Sequence, residues 1–376
     1  MKKVLSKIMA CAVMVSLLGG CSSSKPGPQT PTEAVTAVET TTAETAVQTT
    51  QAQTTQAETK EAETTVQETK AEGTGESVTL RVGSLKGPTT MGLVSLMDKA
   101  SKGEAKGSYE FTMVTAADEL VGQIVSGNLD IALIPANLAS ILYKKTNQGI
   151  SVINVNTLGV LYVVTSDESI KTIPDLKGKT IYMTGKGTTP DYALRYLLTS
   201  NGLSQEDVAI EYKSEAAEVA AVLKEQEGAI GLLPQPFVTV AMAQNEALRL
   251  ALDLTQEWDN IRDKEGGRLV TGVTVCRKEL LEDEAAKKAV DLFIEEHYDS
   301  AIFANTNMEE TAQLVAAAGI IEKAPVALKA LPYCSIVALH GAYMEEILSG
   351  YLQVLYDQDP SSIGGELPDQ GFYYLP

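Results

Sequence analysis

One pattern constrains this chain more than any other. A short apolar run enters a Lys-Gly turn rich in threonine, and a helical stretch follows. It occurs at Lys86-Gly87-Pro88-Thr89-Thr90 and again at Gly185-Lys186-Gly187-Thr188-Thr189-Pro190. Runs of four to eight apolar residues bounded by Gly or Pro predict buried strands, and apolar spacing of three and four predicts helices. From 78 onward the order is strand, turn, helix, repeated in two successive sets. Strands alternating with helices require an α/β fold with mostly parallel sheets, and two sets predict two lobes. In open α/β sheets a ligand binds beyond the carboxyl ends of the strands, where helices begin. Two such mouths facing each other make a cleft.

The first set predicts strands at 78–83, 109–114, 130–134, 151–156 and 161–166. Its helices fall at 91–100, 117–126 and 138–145. The second predicts strands at 180–183, 208–212, 229–233 and 248–252, with helices at 191–201, 215–225 and 236–243. A late strand spans 269–276. The rest is expected to be helical, at 279–300, 308–318, 325–330 and 336–356.

The first 77 residues have a different character. Lys2, Lys3 and Lys7 precede an apolar run from 8 to 18, which ends in Leu18-Gly19-Gly20-Cys21. A basic start, a short apolar stretch and small residues at a cleavage point mark a secretory signal peptide. Leu-Gly-Gly-Cys resembles the lipobox of bacterial lipoproteins. That resemblance implies diacylglyceryl attachment to Cys21, the new N-terminus, and a protein held at the outer face of a cell membrane. Residues 22–77 are loose repeats of Thr, Glu, Ala and Gln with almost no large apolar side chain. Such a segment buries too little surface to offset its chain entropy, so a disordered, solvated tether is expected. Its r.m.s. span is about 40 Å. No later run reaches the ~18 apolar residues a membrane helix needs.

Composition removes several functions. The formal net charge is -19, and no basic stripe is present to neutralise phosphates, so nucleic acid is excluded as a partner. Aromatic residues are 5%, with Trp258 the single tryptophan, which weighs against a sugar-stacking cleft. His297 and His340 are the two histidines, and neither CxxC nor HExxH occurs, so no metal site is expected. Cys276 and Cys334 would form a disulfide or serve as buried thiols, the second being favoured. No GxSxG elbow, Walker loop or Cys–His pairing stands out, so no enzyme activity and no cofactor are expected.

Five stretches carry a family resemblance. They are Gly83-Ser84-Leu85-Lys86-Gly87-Pro88-Thr89, Gly127-Asn128-Leu129-Asp130-Ile131-Ala132, Pro135-Ala136-Asn137-Leu138-Ala139, Ile173-Pro174-Asp175-Leu176-Lys177-Gly178-Lys179 and Leu233-Pro234-Gln235-Pro236. With them the chain resembles ABC-transporter substrate-binding lipoproteins of the type II periplasmic-binding-protein group. The nearest branch is that for nitrate, sulfonate, taurine or thiamine-precursor uptake. The resemblance implies a monomer that captures a small polar or anionic molecule and delivers it to an ABC permease. It also implies a discontinuous first lobe, 78–165 with 270–376, flanking a second lobe, 166–269, and closure of the two around ligand. It places ligand at Lys86, Gly87, Pro88, Thr89 and Thr90, and at Gly185, Lys186, Gly187, Thr188 and Thr189. Free N–H groups and the positive end of a helix suit an anion at both turns. Asn137 would contact ligand or cap its helix. Gln235, held between two prolines, is a further contact residue. A module feeding a membrane sensor and an exported enzyme on the same fold are the alternatives.

Overall fold

The computed structural model describes residues 78–261 and 267–376. The leader, Cys21 and the tether expected over 1–77 lie outside the described residues.

The chain begins with β1 (Thr79–Leu85), α1 (Pro88–Met91), α2 (Val94–Lys102), β2 (Ser108–Val114) and α3 (Ala117–Val125). It continues through β3 (Ile131–Pro135), α4 (Ala136–Lys145) and β4 (Ile150–Leu158). A second group follows: β5 (Leu161–Thr165), β6 (Thr180–Met183), α5 (Thr189–Ser200), β7 (Ala209–Tyr212), α6 (Ala216–Glu225), β8 (Ile230–Pro234), α7 (Phe237–Gln244), β9 (Arg249–Asp253) and α8 (Leu254–Ile261). The chain ends with β10 (Val270–Arg277), α9 (Glu284–Thr306), α10 (Met308–Ala317), α11 (Ala324–Ala330), β11 (Ile336–Leu339) and α12 (Gly341–Gln358).

Two mixed sheets result, with strand orders β11-β4-β10-β3-β1-β2 and β7-β6-β8-β5-β9. In the first, β1 pairs in parallel with β2 and β3, while β10 runs antiparallel to β3 and β4. In the second, β6 pairs in parallel with β7 and β8, and β5 runs antiparallel to β8 and β9. In each sheet a reversed strand, β10 or β5, is inserted among strands of the other direction, and in the first sheet the edge strand β11 is reversed as well. Helices flank both sheets, so the expected two-sheet α/β architecture is present.

The expected boundary at 165 needs correction. β5 pairs with β8 and β9, so the chain changes sheets at Gly159–Val160, one strand earlier. The helix expected over 336–356 also differs. Ile336–Leu339 forms an edge strand on β4, and α12 starts only at Gly341, which takes a positive φ. Branched Ile336 and Val337 suit that pleated edge. The helix expected from 91 is broken at Gly92-Leu93 into α1 and α2.

One apolar core runs through both sheets, joining Val152 and Val273 of the first to Val163 and Leu232 of the second. Trp258 and Tyr351 close its far side, both fully buried, with ring centroids 5.7 Å apart. The Tyr196 ring packs against Trp258 in a tilted contact, centroids 4.4 Å apart. No described helix is long and apolar enough to cross a membrane.

Candidate functional site

The first turn is built by its glycine. Gly87 has φ 146°, which L side chains rarely adopt, and this bend turns the end of β1 into α1. Pro88 then occupies the first helical position, where the missing N–H costs nothing. The threonine hydroxyls point inward. Thr89 donates to the Leu85 carbonyl at 2.8 Å, and Thr90 donates to Ser84 Oγ at 2.7 Å. Both residues are buried. Their protons are therefore spent on the turn itself. What the turn offers outward is the Lys86 ammonium, which is exposed and makes no ion pair among the described residues, while the Thr90 and Met91 N–H groups donate to the Gly87 carbonyl.

Under this turn lies a polar patch that the sequence reading missed. Gly272 on β10 sits so close to Thr89 and Asn156 that a Cβ there would lie 2.5 Å from Asn156 Oδ1 and 3.0 Å from Thr89 Cγ2. Asn156 donates to Thr274 Oγ1 at 3.1 Å and accepts from the Thr157 hydroxyl at 2.9 Å. The signal in the sequence was the polar alternation Asn154, Asn156 inside a fully buried strand. Asn154 bonds the buried His297 ring at 3.1 Å, and burial pushes the His297 pKa down to about 3.

The second turn resembles the first in sequence and differs in chemistry. Gly185 and Gly187 have positive φ, as the bend requires. Thr188 is exposed and donates to the Gly185 carbonyl at 2.6 Å. The Gly187 N–H donates to the Asp191 carboxylate at 2.9 Å. That carboxylate, buried and bonded also by Arg195 and Tyr212, already holds the place an anion would take there. Lys186 stands 5.5 Å over the Tyr212 ring. Thr189 is buried, with Tyr351 Oη 3.3 Å from its hydroxyl.

Asn137 is buried and donates to the Ser362 carbonyl at 3.2 Å, so it ties α4 to the turn Pro360–Ile363 and caps no helix. Its Oδ1 has no partner. Gln235 is buried too. Its N–H donates to Val160 at the sheet crossing at 3.0 Å, and its Oε1 accepts from the Thr239 hydroxyl at 2.9 Å.

Lys86 and Pro236, which follows Gln235, line one cavity of about 580 Å³, so the structure brings the first turn and the start of α7 together. The α10–α11 connection supplies the remaining wall. No residue of the second turn lines this cavity. A larger recess, about 700 Å³, lies between α4 and the C-terminal tail and contains none of the predicted site residues. Among the described residues no cluster of three or more His, Cys, Asp or Glu is placed to hold a metal ion.

Residues 103–319 match the family model described as ABC transporter, phosphonate, periplasmic substrate-binding protein. No curated protein matches the sequence. Among solved structures, an ABC transporter protein from Parabacteroides distasonis is similar at 23% identity, covering 79% of this chain and 98% of its own, with a TM-score of 0.67. The periplasmic aliphatic sulphonate binding protein SsuA from Escherichia coli shares 16% identity over 79% of this chain and 92% of its own, with a TM-score of 0.63. The alkanesulfonate-binding protein SsuA from Xanthomonas axonopodis pv. citri, solved bound to MOPS, shares 15% identity over 78% of this chain and 96% of its own, with a TM-score of 0.58.

Proposed function

Since this chain belongs to the phosphonate family of periplasmic substrate-binding proteins of ABC transporters, we propose that it grips a small polar or anionic molecule between its two sheets. It is a binding component of an import system and not an enzyme. Its family binds small molecules and delivers them to ABC permeases. A membrane sensor or an exported enzyme is not favoured by any of these likenesses.

The observation that carries the proposal is the shared cavity of Lys86 and Pro236, one from each side of the sheet crossing. The ligand's charged end meets Lys86 and the N–H groups of Gly87 and Thr89; Pro88 has none, and that of Thr90 donates to the Gly87 carbonyl. Gln235 holds the opposite wall in place through Thr239 and Val160, and the charged end is held from the first turn alone. The sulfonates named for two fold neighbours and the phosphonate named by the family model suit such an end. The protein acts as a monomer, with Cys21 acylated and residues 22–77 supplying reach between membrane and binding domain.

Calorimetry with methanesulfonate and methylphosphonate tests this. Losing one hydrogen bond to a charged group costs about 1.5–3 kcal/mol, roughly ten- to a hundredfold in affinity. Lys86→Ala should lose that much. Thr89→Ala should also weaken binding, by loosening the turn its hydroxyl braces. Unchanged affinity in both variants moves the site away from the first turn.

A further inference from the structure

We propose that the cavity between α7 and the α10–α11 connection receives an apolar body of the ligand, and that this ligand is an organic anion of single charge, not a compact dianion. The inference rests on the proposal above that Lys86 meets the charged end.

The walls come first. Phe237, Val240, Ile320, Ile321 and Val326 line the cavity, with Lys86 at one side. A helix at a protein surface normally turns polar residues outward. α7 does not: its sequence is Phe-Val-Thr-Val-Ala-Met-Ala-Gln, and while Val238 and Ala241 face the core, Phe237 and Val240 face the cavity. Phe237 remains 41% exposed. Covering such surface is favourable at about 25 cal/mol per Å². At about 580 Å³ the space falls within the range of small-molecule sites and far exceeds a methyl group.

Charge sets the other half. A doubly charged head is best matched by arginine, whose fork meets two oxygens at once, or by more than one net positive charge. Every described arginine is engaged elsewhere. Arg81 and Arg277 bind Asp130, Arg195 binds Asp191, Arg249 binds the carbonyls of Asp167 and Ile170, and Arg268 pairs with Asp259. At the cavity, Glu322 and Lys323 offset one another, and Lys86 is left as one net positive charge.

The test uses titration calorimetry in alkaline buffer with three probes: methanesulfonate, benzenesulfonate and phenylphosphonate. The first two share a head, and the last two share a body. The expected result is benzenesulfonate bound at least ~tenfold more tightly than methanesulfonate, with phenylphosphonate no tighter than benzenesulfonate. The benzenesulfonate-to-methanesulfonate ratio should collapse toward one in Phe237→Ser and in Val240→Asn. Phe237 is already half in solvent, so its replacement leaves the fold intact, which thermal unfolding checks. Equal affinity for the two sulfonates, or a ratio that survives both variants, overturns the apolar pocket. Tighter binding of the dianion overturns the single-charge assignment. Benzenesulfonate binding that is lost in Phe237→Ser but unmoved by Lys86→Ala supports the pocket and overturns the role given to Lys86. Binding of none of the three overturns both.

Discussion

Replacing Tyr351 tests what joins the two sheets. Tyr351 lies on α12 and is fully buried. Its ring packs tilted against Trp258, centroids 5.7 Å apart, and its hydroxyl lies 3.3 Å from that of Thr189. α12 packs on the first sheet through β4 and β10, whereas Trp258 and Thr189 belong to helices of the second. The surroundings have little room to relax. Gly267 presses on α12 so closely that a Cβ there would meet Tyr351 N at 2.0 Å. A void left by Tyr351→Ala therefore stays open, and the cost should reach the range for a buried aromatic, about 3–5 kcal/mol. Tyr351→Phe removes only one long hydrogen bond, about 1 kcal/mol. With a urea dependence of about 3 kcal/mol per molar, the alanine variant's midpoint falls by about 1–1.7 M. Trp258, the single tryptophan, supplies the assay, because its emission shifts red when the seam opens. Far-UV circular dichroism should move with it in a shared transition. A loss below about 1 kcal/mol in Tyr351→Ala, or equal losses in the two variants, would refute the reasoning.

Three further outcomes follow from the geometry. Burial works against the charge on Asp130, whose side chain is 6% exposed, yet its hydrogen bonds from Arg81 and Arg277 prevail and hold its carboxyl below the ordinary range. Asp130→Asn should cost about 3 kcal/mol at neutral pH. Because the folded pKa is depressed, that stability is complete above the unfolded value and is lost as pH falls through the folded one, so urea midpoints of wild type and variant should converge in acid. Cys276 and Cys334 are both free and buried, and burial pushes each thiol up to about 12, so a thiol reagent should label neither until urea unfolds the chain. Cys21→Ala should leave the protein without acyl chain, read by labelled-lipid incorporation; incorporation into that variant would remove Cys21 as the anchor.

The sequence carried the strand-turn-helix order because each step is local. The Lys86 turn, the β3–α4 junction and β10 fall where apolar runs meet Gly or Pro. Sheet membership is not local. β4 and β5 are both buried at every position and stand only Gly159–Val160 apart, so periodicity cannot tell which sheet each joins. The one nearby mark is Gly159, where a Cβ would lie 2.0 Å from Thr255 Oγ1, a contact formed across almost a hundred residues. β11 was missed because four residues are too few to outweigh the helical pattern after them. Asn156 and Gly272 were missed for a related reason. Nothing in either strand alone states that they will lie under Thr89.

The likeness of the two Lys-Gly turns is instructive where it fails. Both need glycine at positive φ, so the bend alone explains the shared motif. Beyond the bend, side chains four residues on decide the chemistry. Asp191 reaches back to the Gly187 N–H and brings a buried carboxylate to the start of α5. With the Gly187 N–H already given to Asp191, the turn has lost a donor an anion would use. The first turn has no such residue: position 91, four after Gly87, is Met91, buried in the core. A grip on an anion is then one-sided. The first sheet presents Lys86, while the second presents α7, whose Phe237, Val240 and Ala243 face the cavity. Two turns of common sequence thus predict two different roles, and the difference is set by Asp191 and Met91, outside the motif itself.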